Sequence, residues 1–316
     1  MNFYAADHID KVLDFPRLID ALKQGFSQPY ITPQRMHIDY HNPNDQNENT
    51  MLLMPAIRCG KAAGVKIINV ATGNEKRELA TIQGIYILLD AVSGIPLAVL
   101  DAKSLTNWRT AASSALAAGF LATRSAGTLL MVGTGSLAPY LIEAHAVNRP
   151  IRNLIIYGRS HEKAKRIATQ FAHRFKNVSV ADQLSLVVER ADIISVATLS
   201  KDPLINGNWL RPGQHLDLVG SFKPDMREAD DQVIIRSKIY VDDLGFAPAE
   251  SGDLAIPLQQ GVIKEDDILG DLFQLCTGQV QGRSSEDEIT LFKSVGHALE
   301  DLIAAQMIEK LSRPSG

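Results

Sequence analysis

The sequence predicts an α/β protein, a mostly β unit followed by a parallel sheet with helical crossovers. Two observations carry this. From Gly127 to Asp243, short apolar runs alternate with helical stretches, in the order TLLMV, NLIIY, VSVA, DIISV, HLDLV and KIYVDD. Strands so separated form parallel sheets with right-handed crossovers. The preceding residues hold strand-like runs without helices between them, MLLMPAI, AGVKIINV and GIYILLD.

The elements follow in order. Asp14 can cap a first helix, with Pro16 in its opening turn and Leu18, Ile19, Leu22 and Phe26 as its apolar stripe. A polar, proline-spotted segment, ITPQRMHIDYHNPNDQNENT, leads into the strand-like runs. IYILLDAVSGIPLAVLDA is broken by Asp90, Ser93-Gly94 and Pro96, so it reads as two strands with a turn and not as a membrane span. SLTNWRTAASSALAAGFLA is an alanine-rich helix with Ser104 or Thr106 as its cap. The segments from Ser160 to about Phe175 and from Ala181 to Ala191 read as crossover helices. Ser285-Glu286-Asp287-Glu288 reads as a capping box that opens a long helix bearing Phe292, Val295, Leu299, Leu302 and Ile303.

Bulk properties narrow the function. A chain of 316 residues, 45% hydrophobic and 22% charged, has the profile of a globular protein of one or two domains. A net charge of -4 gives no general attraction to nucleic acid or anionic membranes. Cys59 and Cys276 have neither metal-ligand nor disulfide-framework spacing, so no metal is expected. The start MNFYAADHIDKVLDF carries acids where a signal peptide carries lysines and an apolar core, which points to the cytoplasm.

Gly133-Thr134-Gly135-Ser136-Leu137-Ala138 is a G-x-G-x-x-A turn between a strand and a helix. Gly133 permits the tight turn, Gly135 lets the backbone approach a pyrophosphate, and Ala138 lets helix and strand pack closely. A bare packing turn is the plain alternative. The second strand ends in Tyr157-Gly158-Arg159-Ser160, with Lys163 one turn on, where an NAD site usually places a carboxylate. A guanidinium, a hydroxyl and a lysine suit a 2′-phosphate, so NADPH is the expected cofactor, with NADH as the alternative.

Three cations mark the first segment: Arg35, Lys66 inside an apolar strand, and Arg109 near the start of its helix. A buried ammonium needs an anion, and a helical first turn favours one. Singly, each is an ordinary solvated or paired charge. Together, beside a nucleotide domain, they suggest a pocket for a small carboxylate. The loop VGSFKPDMRE lies beyond the strand LDLV, where open α/β sheets bind ligands, and its first bulky residue is Phe222.

These stretches, with GIPLAVLDAKSLTNWRTAASSALAA, GTGSLA, YGRS, ESGDL and LFKSVGHALEDLIAA, resemble the ornithine cyclodeaminase/mu-crystallin family over nearly the whole chain. The resemblance implies a Rossmann-type doubly wound parallel sheet at 119–291. It also implies a second α+β substrate and dimerisation domain at 1–118 and 292–316, formed by the N-terminal segment and the C-terminal helix, in a homodimer. It places Arg35, Lys66 and Arg109 around a carboxylate-bearing substrate and Arg159 and Ser160 at the 2′-phosphate. Thr110, Ala197, Thr198, Gly220, Ser221 and Gly296 join Arg109 and the glycine turn as expected nucleotide contacts. Cyclodeaminases of the family carry an aspartate where this sequence has Phe222. A phenyl ring cannot handle the proton of a substrate amine. The loop is thus closer to the bacterial branch that reduces a preformed cyclic imine, 1-pyrroline-2-carboxylate, to L-proline, with the six-membered homologue as a further substrate. Lys66 is the first choice of proton donor, because burial beside two arginines lowers its pKa. A water or an already protonated imine is the alternative, and Phe222 as a core residue pointing elsewhere is another. An amino-acid or opine-type dehydrogenase, an ornithine cyclodeaminase and a nucleotide-binding protein without turnover are the rival functions.

Overall fold

The computed structural model describes residues 1–43 and 48–313, so part of the polar segment, 44–47, lies outside the described residues. The chain divides into two compact units, residues 1–110 with 297–316, and residues 111–296.

The first unit is a six-stranded sheet with helices on one face. Its strands are β1 (Asn2–Tyr4), β2 (Met36–His41), β3 (Glu48–Arg58), β4 (Ala62–Val70), β5 (Ile82–Asp90) and β6 (Pro96–Asp101). Strands β2 to β6 form an antiparallel meander and β1 pairs parallel with β6, giving the order β1-β6-β5-β4-β3-β2. The apolar stretch read as two strands and a turn is β5 and β6, with Asp90 Oδ1 accepting from the Val92 and Ser93 N–H groups. Strand β2 lies in the segment read only as polar. It is exposed at all six positions, which is why its composition hid it.

Helix α1 (Ala6–Val12) precedes α2 (Phe15–Phe26), and Asp14 caps α2 as its sequence suggests, accepting from Arg17 N–H at 3.0 Å. The alanine-rich helix α3 (Ala102–Leu121) starts earlier than expected: Asp101 accepts from Ser104 N–H at 2.7 Å, so neither Ser104 nor Thr106 is its cap.

The second unit holds an eight-stranded sheet, all parallel: β7 (Thr128–Val132), β8 (Asn153–Tyr157), β9 (Asn177–Val180), β10 (Ile193–Val196), β11 (His215–Leu218), β12 (Lys238–Val241), β13 (Ile268–Asp271) and β14 (Thr290–Lys293). Around it run α4 (Ala138–Asn148), α5 (His161–Phe171), α6 (Asp231–Arg236), α7 (Ala247–Glu250), α8 (Gly252–Gln259) and α9 (Leu272–Thr277). Two 3₁₀ turns stand where a helix over 181–191 was expected. The order β13-β12-β14-β11-β10-β7-β8-β9 reverses between β7 and β10. This is the Rossmann-type doubly wound pattern, whose ligand crevice opens at the reversal.

The long helix expected to open at Ser285 starts later in the chain. Glu288 does accept from the Ser284 and Ser285 N–H groups, but these bonds close a local turn that delivers β14 into the middle of the sheet. Phe292 is a strand residue, and the last helix, α10, begins only at Ala298 and runs to Ser312. The expected boundary at 291/292 therefore cuts through β14, and the one at 118/119 cuts through α3. No described helix is long and apolar enough to cross a membrane.

Candidate active site

Strand alternation fixes the first set of candidate side chains. Along β4, residues 62, 64, 66 and 68 face inward, so Lys66 is buried between Met54 of β3 and Tyr86 of β5. An ammonium so placed needs a counter-charge. Helix α10 supplies it. His297 caps this helix, its Nδ1 accepting from Leu299 N–H at 3.1 Å, so the ring proton sits on Nε2, 3.3 Å from Thr32 Oγ1. That start places Glu300 and Asp301 in the first turn, where the helix dipole favours carboxylates, and both are fully buried.

Asp301 Oδ2 lies 2.7 Å from Lys66 Nζ, and its Oδ1 lies 3.2 Å from Arg109 Nε. Arg109 Nη1 donates to Glu300 Oε2 at 2.6 Å. Burial lowers the Lys66 pKa to about 8, and the Arg109 and Arg35 guanidinium groups push the same way against Asp301. The lowering expected from the sequence is thus present, and Arg109 and Arg35 each lie within electrostatic reach of Lys66. Tyr86 is the opposite case. Burial, and then the Asp301 charge, hold its phenol well above its usual range.

Arg109 does not stand in a helical first turn. Helix α3 begins at Ala102, so Arg109 lies past its first turn, and the anions beside it are side chains of α10. Thr110 follows it, buried in the same helix.

The second set stands at the carboxyl edge of the parallel sheet. Gly133, at φ 118°, turns the chain out of β7, and a Cβ there would come within 2.4 Å of Ala197 O beyond β10. Gly135 has nothing within 4 Å of where its Cβ would be, so a ligand can reach its backbone. Thr134, Ser136 and Leu137 complete the turn, and Ala138 is the buried first residue of α4. Gly158 leaves space that a Cβ would take from Thr134, 2.6 Å away. Arg159 and Lys163 are exposed, and Ser160 caps α5, accepting from Lys163 N–H at 3.3 Å. The cap uses a hydroxyl lone pair and leaves its proton free to donate. Open backbone at the strand reversal, a helix N-terminus and no acid at the end of β8 fit a phosphate-bearing dinucleotide.

Ala197 and Thr198 follow β10, Gly220 and Ser221 follow β11, and Gly296, at φ 87°, follows β14. Asp242 holds the last of these loops, accepting from Val295 and Gly296 N–H at 2.8 and 2.6 Å. Phe222 is half-buried in its loop, so it is not one of the core residues, and the exposed Lys223 ammonium lies 5.9 Å from its ring centroid. Among the described residues no cluster of three or more His, Cys, Asp or Glu is placed to hold a metal.

The model of the ornithine cyclodeaminase/mu-crystallin family matches residues 4–313. The chain belongs to that family. The Delta(1)-pyrroline-2-carboxylate reductase of Colwellia psychrerythraea is 36% identical over 316 residues, covering 99% of this chain and 100% of the relative. Among solved structures, the Thermococcus litoralis Delta(1)-pyrroline-2-carboxylate reductase in complex with NADH and L-proline superimposes with a TM-score of 0.91. It is 28% identical and covers 99% of this chain and 97% of its own. An archaeal alanine dehydrogenase dimer with bound NAD gives a TM-score of 0.90 at 25% identity, covering 99% and 96%.

Sequence reasoning missed Glu300, Asp301 and His297. A signal for the acids was present: Glu300-Asp301 sits within HALEDLIAA, among alanines and leucines, where two adjacent carboxylates have little solvent face to share. Because Asp301 is the carboxylate partner of Lys66 in a dry site, removing it leaves that ammonium without its counter-charge, while Arg109 keeps Glu300. Asp301→Ala should lose about 3–5 kcal/mol of stability in urea denaturation, more than the Lys66→Met/Asp301→Leu pair does. Equal cost for the single and double variants would mean that the cluster is hydrated and only loosely coupled.

Proposed function

We propose that this protein reduces a small cyclic imine carboxylate, 1-pyrroline-2-carboxylate in the first instance, to the corresponding amino acid, L-proline. A reduced nicotinamide nucleotide supplies the hydride to the imine carbon, and one proton goes to nitrogen. The observation that carries this reading is Lys66, a buried ammonium with a pKa of about 8, in a fold shared along its length with a reductase that holds NADH and L-proline. Such a group is charged at neutral pH yet able to give up its proton, as a general acid must. Arg109 and Arg35 hold the substrate carboxylate, and Lys66 protonates the imine nitrogen. Phe222 offers no base for the amine of an open-chain substrate, which disfavours cyclodeamination. The likeness to an alanine dehydrogenase favours a second reading, reduction of the imine formed from an oxo acid and ammonia.

Nucleotide oxidation by the full-length protein should be fastest with pyrroline-2-carboxylate, weaker with the six-membered imine, and slow with pyruvate plus ammonia. Ornithine with NAD or NADP should release no ammonia. Arg35→Ala should raise KM for the imine with the fold intact. Lys66→Arg, which keeps the charge but not the labile proton, should depress kcat more than it raises KM. Faster turnover with pyruvate and ammonia than with the cyclic imine would replace the first reading by the second.

For the nucleotide, we infer a preference for NADPH, supported by Arg159 and Ser160 where an acid would repel the 2′-phosphate. Arg159→Ala should then cost on the order of 1.5–3 kcal/mol in NADPH affinity and little with NADH. Equal losses with both nucleotides would remove Arg159 from 2′-phosphate recognition.

We also infer a homodimer. Helices cover one face of the six-stranded sheet, while Val65 and Ile67 of β4 are only half-buried on the other and Phe3, Met36, Ile38 and Ile85 are exposed. An apolar sheet face of this extent calls for a partner, and a second copy supplies the same surface. Sedimentation should give about twice the chain's 34.5 kDa, and Ile85→Lys should shift it toward one copy; a monomeric wild type would end the idea.

A further inference from the structure

Loops beyond the strands of a parallel sheet have backbone N–H groups with no ladder partner, and buried ones need acceptors. In residues 111–296 one side chain serves two such loops. Glu228, fully buried, lies six residues after Phe222. Its Oε1 accepts from the Thr198 N–H at 2.7 Å and from the Thr198 hydroxyl at 2.8 Å. Its Oε2 accepts from the Gly220 N–H at 2.7 Å and from the Ser221 N–H at 3.2 Å. Four donors from the loops after β10 and β11 thus converge on one carboxylate. The two loops touch closely around it, since a Cβ on Gly220 would come within 2.0 Å of Thr198 O and 2.5 Å of Glu228 Oε1.

Glu228 is itself held from behind. Asp253 Oδ1 accepts from the Glu228 and Ala229 N–H groups at 2.7 and 3.1 Å. The charged groups facing this cluster are Asp253 from α8 and Lys293 from β14, whose Nζ donates to Leu218 O at 3.0 Å and lies 3.5 Å from Asp253 Oδ2. The Ser221 hydroxyl is committed to Met226 O and Ser251.

We propose that Glu228 is a positioning residue for the nucleotide, its carboxylate tying the loops after β10 and β11 into one rigid ledge. The proposal rests on the reading that those loops line the nucleotide. Only the ionised carboxylate can tie both, because a protonated oxygen presents an O–H to donors that need an acceptor. Burial pushes the Glu228 pKa up to about 7, Lys293 opposes the rise, and Asp253 adds to it. The sign follows: the ledge is complete above about pH 7 and loosens as pH falls through that value.

The test is NADH binding to the full-length protein without substrate, followed by nucleotide fluorescence from pH 5.5 to 8.5. NADH is chosen because it has no 2′-phosphate to titrate. One linked proton changes affinity by at most tenfold per pH unit. The wild-type Kd should therefore be flat near pH 8.5 and about tenfold weaker by pH 6. Glu228→Gln keeps the size but turns an NH₂ toward one pair of donors. It should bind about tenfold more weakly than wild type at pH 8.5 and lose the pH dependence. Wild-type affinity in Glu228→Gln, or the same pH profile in both proteins, overturns the proposal. If Glu228→Gln does not fold, the wild-type profile decides: a rise in Kd below pH 7 supports the clamp and a flat line overturns it. If the wild type binds NADH at no pH, wild type and Glu228→Gln are compared with NADPH at pH 8.5, where equal affinity overturns the clamp; binding of neither nucleotide strikes the nucleotide reading first and the clamp with it.

Discussion

The desolvated pairing of Lys66 and Arg109 with Asp301 and Glu300 is the constraint on which the first unit depends. The unit is discontinuous in sequence, and its last helix returns after an entire nucleotide-type domain. Apolar packing alone would hold α10 to the sheet without fixing its rotation or register. Two adjacent acids in its first turn, each matched to a specific cation of β4 or α3, define both. Such ion pairs contribute little net stability against their desolvation, yet breaking one is costly, so they act chiefly as a register device. The candidate substrate cations are therefore also structural, and their substitution has to be read in kinetics and in stability together.

The second unit solves a related problem with the opposite sign. Its strands are ordinary buried runs, and its difficulty lies where they end. Glu228, Asp253 and Asp242 each accept from two or more loop N–H groups at the carboxyl edge. Buried carboxylates stand in for the missing sheet ladder, and Lys293 offsets the charges of Asp253 and Glu228. The loops that carry Thr198, Gly220 and Gly296 are consequently set by side chains rather than by sheet geometry.

Much of this was legible in the sequence, for identifiable reasons. The parallel sheet showed because its strands are continuous apolar runs, and the glycine turn because only glycine tolerates what Gly133 does. Lys66 showed because an ammonium inside GVKIINV has no inexpensive place to go. Strand β14 did not show: TLFK is four residues long, follows a turn whose Ser284–Glu288 bonds mimic a helix start, and inserts between strands formed earlier in the chain. The apolar neighbours of Glu300 and Asp301 in HALEDLIAA signal burial, but only the fold shows which cations of β4 and α3 meet them. Long-range pairing, whether of strands or of charges, is what a local pattern cannot encode.

The difference between lysine and arginine gives the cluster its division of labour. A guanidinium keeps its charge under any condition the protein meets, and its fork suits two carboxylates at once, as Arg109 does with Glu300 and Asp301. A lysine buried beside it is squeezed from both sides: desolvation and neighbouring cations disfavour its charge, while Asp301 favours it. The balance leaves Lys66 near neutrality, whereas the Tyr86 phenol, buried near the same Asp301 carboxylate, is driven out of useful range. The charges that fasten α10 thus also set how tightly Lys66 holds its proton. Weakening Asp301 for the sake of a drier core would free the helix and lower Lys66 further, so that neither role can be altered alone.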